Sequence, residues 1–185
     1  MLISAVSDKL ISNTLCTLQR GFSQTVSLLC AARANVYIKN RSGFAALHAA
    51  CQHGHNQTCR VLLTSGCRPD IKNNVSGTYL DFSGKISIKL FQYGDAPLHT
   101  AARYGHAGVT RILVSGRARV SGRNKNGDTA LHIAAAMNKR KLARILVQAG
   151  VSTELRNNQG ETAVNIAMRK HCINTYTDTS YHLYS

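Results

Sequence analysis

Four kinds of side chain in this sequence have the chemistry to build a site: histidines, cysteines, carboxylates and a large excess of cations. His48, His99 and His132 each sit in the same local setting, which raises metal ligation or acid–base catalysis. A zinc ion needs its ligands within about 2.0–2.3 Å, and side chains held one structural repeat apart do not converge to that distance. A second candidate set is Cys51, Cys59, His53 and His55. The six cysteines (Cys16, Cys30, Cys51, Cys59, Cys67, Cys172) contain no C-x-x-C pair, however, and read as reduced, packed thiols. Carboxylates fare no better. Asp8, Asp70, Asp81, Asp95, Asp128, Glu154, Glu161 and Asp178 are scattered, with no nucleophile and base or paired acids among them. No catalytic residue, metal or cofactor is expected, and the chain reads as a non-enzyme.

What remains is charge. Against 8 acidic residues stand 23 Lys and Arg, a formal net charge of +15 over 185 residues. That balance suits an acidic protein surface, a nucleic acid or an anionic membrane. With 44% hydrophobic and 17% charged residues the chain is no disordered polyelectrolyte. It has no apolar run near the roughly 18 residues of a membrane span, so no membrane partner is predicted. Asp8 and Lys9 interrupt the apolar start, which does not read as a secretory signal and points to a cytoplasmic chain. Aromatics are 6% with no Trp, so the core must come from Leu, Ile, Val and Ala.

The elements that position these residues form a repeat. Gly43-Phe44-Ala45-Ala46-Leu47-His48 is in register with Gly94-Asp95-Ala96-Pro97-Leu98-His99, Gly127-Asp128-Thr129-Ala130-Leu131-His132 and Gly160-Glu161-Thr162-Ala163-Val164-Asn165. The last three are spaced by 33 residues and the first two by 51, an excess of 18. Gly21, Gly54 and Gly105 keep the same two intervals, as do Arg60, Arg111 and Arg144. Asn40, Asn73, Asn124 and Asn157 open a turn that closes on the glycine, where positive φ is tolerated. A short helix follows, with Thr129 and Thr162 as N-terminal hydroxyls and Pro97 in a first turn. Small pairs (Ala50-Cys51, Ala101-Ala102, Ala134-Ala135) allow close helix approach. Gly54 and Gly105 then lead into a second helix carrying Val61-Leu62-Leu63, Ile112-Leu113-Val114 or Ile145-Leu146-Val147.

These motifs resemble the ankyrin repeat. The resemblance implies an all-α ankyrin-repeat solenoid, a helix-turn-helix stack with β-hairpin fingers, whose fingers and first helices line a concave protein-binding surface. It also implies that the recurrent histidine bonds backbone at the repeat junction. Residues 1–19 read as a non-repeat segment, 20–171 as the array and 172–185 as a polar tail. Arg33 and Arg117 replace the glycine that ends the second helix at Gly66 and Gly150, at a cost of about 1 kcal/mol each if the left-handed turn is kept.

Removing residues 75–92 joins Asn73-Asn74 to Tyr93-Gly94 and restores the period, which places the 18-residue insertion at a finger tip. Two origins stay open. It is a native finger extension, in which Lys85-Ile86-Ser87-Ile88-Lys89-Leu90 alternates like a strand, or a retained short intron. The insertion corresponds to 54 nucleotides, every valine codon begins with GT, and Phe91-Gln92 can be encoded as TTTCAG, the usual end of an intron.

The period also sorts the cations. Lys39, Lys72, Arg123 and Arg156 share one position at the finger base, and Arg41 and Lys125 share another nearer the tip. Arg60, Arg111 and Arg144 form a second row on the second helices. The finger row is the expected partner-binding site, facing a protein partner with an acidic surface. The alternative is a basic nucleic-acid-associated ankyrin protein, disfavoured because no aromatic stacking platform accompanies the charge. Gly21-Phe22-Ser23-Gln24, Arg60-Val61-Leu62-Leu63, Lys72-Asn73-Asn74 and Ala101-Ala102-Arg103-Tyr104 further resemble the ankyrin scaffolds of Wnt signalling. That resemblance implies a monomeric cytoplasmic adaptor for Dishevelled-type or Axin-type scaffolds and casein kinase I.

Overall fold

A computed structural model of the chain describes residues 23–40, 43–73 and 94–170. The expected segments 1–19 and 172–185 and the insertion at 75–92 lie outside the described residues. The helices among the described residues include α1 (Ser23–Ala31), α2 (Ala46–His53), α3 (Asn56–Thr64), α4 (Pro97–Tyr104), α5 (Ala107–Ser115), α6 (Ala130–Ala136) and α7 (Arg140–Gln148). Residues 163–170 are helical as well. First helices α2, α4 and α6 pack side by side, and second helices α1, α3, α5 and α7 form the other layer. This two-layer stack is the all-α ankyrin solenoid. Among the described residues the fingers contain no strand, only an isolated antiparallel bridge between Arg156 and Thr162. They are turns held by side chains more than β-ribbons.

Burial follows the sequence pattern closely. In α7, Leu142, Ile145 and Leu146 lie on one face at i, i+3 and i+4 and are buried, as are Val109, Ile112 and Leu113 in α5. Ala50, Ala101 and Ala134 are fully buried on the first helices. A side chain no larger than a methyl there lets neighbouring repeats close on each other. Gly54 and Gly105 end α2 and α4 in the left-handed conformation, and Asn138 takes over that role at φ 52° after α6. Arg33 and Arg117 do keep left-handed backbone, at φ 57° and 61°. The turn geometry has been retained without the residue that suits it.

The recurrent histidines join one repeat to the next. His99 Nδ1 accepts from the Ala96 backbone N–H at 3.2 Å, and its Nε2 donates to the carbonyls of Gly122 and Asp128 at 3.1 Å. His48 does the same with Ala45 and the Asp95 carbonyl, and His132 with Thr129 and the Glu161 carbonyl. All three rings are buried, and this pairing needs the neutral Nε2–H tautomer. Burial holds His48 down to about 4 and lowers His99, against the opposing pull of their carbonyl partners and Asp95. The hydroxyl of Thr162 caps its helix, accepting from the Asn165 N–H at 3.2 Å. Thr129 departs from the sequence expectation: its hydroxyl donates to His132 Nδ1 at 2.8 Å, because the histidine is already seated at that helix start.

Candidate functional site

Each finger is built around one asparagine. Asn124 Oδ1 accepts from the N–H groups of Asn126 and Asp128 at 3.0 and 2.9 Å, and the Asn124 N–H donates to the Asp128 carbonyl at 3.0 Å. Asn157 repeats this with Gln159 and Glu161. The turn glycine Gly127 has φ 75°, and a Cβ there would collide with the Asn158 side chain. At the interrupted finger, the Asn73 N–H donates to the Asp95 carbonyl at 2.9 Å, and the Asp95 N–H donates to Asn73 Oδ1 at 2.7 Å. The bond that elsewhere joins residues four apart here joins residues 22 apart, a difference of 18. The hairpin base therefore closes across the interruption.

The buried asparagine amide also reaches back one repeat, from Asn124 Nδ2 to Asp95 Oδ1 and from Asn157 Nδ2 to Asp128 Oδ1, each at 2.9 Å. Asp95 is 4% exposed and further paired with Arg103 at 2.8 Å, and Glu161 pairs with Arg169 at 3.0 Å. Asp70 Oδ1 accepts from the Arg119 N–H at 2.8 Å. Asp95, Asp128 and Glu161 are thus engaged within the fold, whereas Asp70 is exposed and lines the groove of Lys39 and Lys72.

The finger-row cations are placed differently. Lys72, Arg123, Lys125 and Arg156 are exposed and Lys39 is half-buried, while Arg41 lies outside the described residues. The row is a ladder: Lys72 Nζ donates to the Arg123 carbonyl at 3.0 Å, Arg123 Nη1 to the Arg156 carbonyl at 2.9 Å and Arg156 Nη1 to the Gly160 carbonyl at 2.8 Å. Lys72 and Arg123 each tie their finger to the next one, whereas Arg156 bonds within its own, and all three residues are exposed. Lys125 lies along Gly94 of the preceding finger. Lys39 and Lys72 line one groove of about 560 Å³ together with Arg68 and Arg117, two cations the finger-row reading missed. Arg68 lies 5.4 Å over the Tyr37 ring. Its spacing of 51 from Arg119 was the available signal. Arg60, Arg111 and Arg144 are exposed on the second-helix layer.

Metal chemistry finds no geometry among the described residues, where no group of three His, Cys, Asp or Glu could hold an ion. Cys51 and Cys59 face each other in the core at 4.0 Å between sulfurs, whereas His53 and His55 stack on one another at 5.9 Å. Burial pushes the Cys51 thiol well up and that of Cys67 up to about 11. Among the described residues no helix is long and apolar enough to cross a membrane.

The family model for ankyrin repeats matches in three copies, over residues 13–73, 79–157 and 98–177. The chain is 30% identical over 102 residues to the transient receptor potential cation channel subfamily A member 1 homolog of Caenorhabditis elegans, covering 48% of this chain and 8% of that one. It is 31% identical over 77 residues to the nuclear factor NF-kappa-B p110 subunit of Drosophila melanogaster, covering 42% and 6%. With the mouse protein phosphatase 1 regulatory subunit 12A it shares 34% over 62 residues, covering 34% and 6%. The chain spans less than a tenth of the length of each of these relatives. Repeat register, junction histidines, asparagine-held fingers and the family match agree: the chain belongs to the ankyrin-repeat family and is a protein-interaction module.

Proposed function

We propose that the chain is the non-catalytic binding part of a cytoplasmic signalling adaptor, and that it captures an acidic protein surface along Lys39, Lys72, Arg123, Lys125 and Arg156, with Arg41 extending the row. One observation carries this reading. Asp95, Asp128 and Glu161 are held by internal partners, while Lys72, Arg123, Lys125 and Arg156 sit exposed and in register along the fingers. Arg68 and Arg117 widen the same surface. The sequence likeness to diversin, an ankyrin scaffold of Wnt signalling, supplies the candidates: Dishevelled-type or Axin-type scaffolds and casein kinase I. The binding unit is a monomer in this reading.

The test is capture of acidic stretches of those candidates by the full chain and by a variant with Lys72→Glu, Arg123→Glu and Arg156→Glu. Capture should fall at least about tenfold, as expected when several rim charges are reversed, with the helical circular dichroism preserved. Undiminished capture would remove the finger row from the account. Capture of none of the candidates would discard the Wnt assignment.

A further inference from the structure

In three successive repeats the leucine before the junction histidine is buried: Leu47 at 0%, Leu98 at 1% and Leu131 at 4% exposure. The next residue in that register, Val164, is 43% exposed. Four residues on, Cys51 and Ala102 are fully buried and Ala135 is half-buried, yet Met168 is 63% exposed. On the second-helix layer Leu63 and Val114 are half-buried, whereas Val147 is 47% exposed. All three outliers line one groove of about 680 Å³ at the last repeat. Its position is that of a second helix packed on residues 163–170, as α3 packs on α2 and α5 on α4.

The repeat's apolar pattern does not continue into the residues that follow 170. One period beyond the buried Leu142, Ile145 and Leu146 stand Thr175, Asp178 and Thr179. An amphipathic helix needs apolar residues at those positions to bury a face. The groove also bears Lys139, Arg140 and Lys170, and no carboxylate among its described lining residues.

We propose that this groove is a docking site for a helix from a partner protein, apolar on one face and acidic on its flanks, which completes the last repeat in trans. Met168 stands where inner repeats carry Ala or Cys, and its flexible thioether suits an exchangeable partner. The site is separate from the finger row and stands or falls independently of it.

The test uses the full chain and a fluorescein-labelled peptide of residues 139–150 in which Lys139→Glu, Arg140→Glu, Lys141→Glu and Arg144→Glu keep the α7 apolar face on an acidic helix. Fluorescence anisotropy should show saturable binding that weakens as salt rises. The same peptide with its native cations should bind more weakly. The protein variant Val164→Ser with Met168→Ser changes only exposed, uncharged side chains and should weaken binding at least about tenfold. Absence of saturable binding would overturn the proposal, as would equal binding by the Val164/Met168 variant. A concentration-dependent dimer that the same variant dissociates would assign the groove to a second copy and overturn it too.

Discussion

His48 is a buried base whose folded form must stay neutral, since Nδ1 accepts from Ala45 while Nε2 donates to Asp95. In the unfolded chain it binds a proton near 6.5, in the fold only near 4. The unfolded state therefore holds more protons between those values, and stability is full above 6.5 and lost as pH falls towards 4. The loss is on the order of 3 kcal/mol, and His99 adds to it in the same direction. Urea midpoints measured from pH 7 to 4 should decline through that window, and His48→Gln should flatten the decline. Arg117 makes the opposite kind of prediction. Its left-handed backbone is one that glycine adopts freely, so Arg117→Gly should stabilise the protein by about 0.5–1 kcal/mol, read as a higher urea midpoint. The positive-φ positions were legible in the sequence because a missing glycine in a fixed register is itself a signal. The missing cover over Val164 and Met168 was signalled too, since Thr175, Asp178 and Thr179 break the apolar pattern one period after Leu142, Ile145 and Leu146, but how far each side chain is exposed was not.

At the scale of the element, the finger is the unit that both carries the cations and joins the repeats. Asn124 serves three partners at once, two amides in its own turn and the Asp95 carboxylate of the previous repeat. Asn124→Ala should cost about 2–3 kcal/mol, because buried groups lose partners on both sides. Hydrogen exchange should show faster loss of protection at Asn126 and Asp128 than in α3. The asparagine positions stood out in the sequence through their spacing. What each one touches did not, since the Asn124–Asp95 and Asn157–Asp128 contacts cross a repeat junction. The Asp95–Arg103 pair likewise joins a finger to the far end of a helix eight residues on, outside the three- and four-residue spacing by which helical ion pairs are recognised. The cation ladder was hidden for a related reason: its acceptors are backbone carbonyls, which no residue type reveals.

For the whole molecule, the net charge of +15 sets the competing expectation that any polyanion binds. A gel shift with random duplex at two salt concentrations decides it. Specific protein capture predicts weak duplex binding that disappears at moderate salt, while strong binding to any duplex would favour the nucleic-acid alternative. The stack's architecture was readable almost entirely from the 33-residue period, because in a solenoid each unit contacts only its neighbours. Residues 75–92 are the one place where length departs from that period. Deleting them should leave the helical spectrum unchanged and raise stability by about 1–2 kcal/mol, the closure cost of a long connection over a short one.

The closed base at Asn73 and Asp95 has a consequence for how this gene can vary. Both bonds that seal the finger lie below the interruption, so the scaffold registers only that the two ends return to the same place. Transcripts with and without those 54 nucleotides would encode two isoforms with one framework and different tips. Splicing at this point would then change what the protein displays without testing whether it folds.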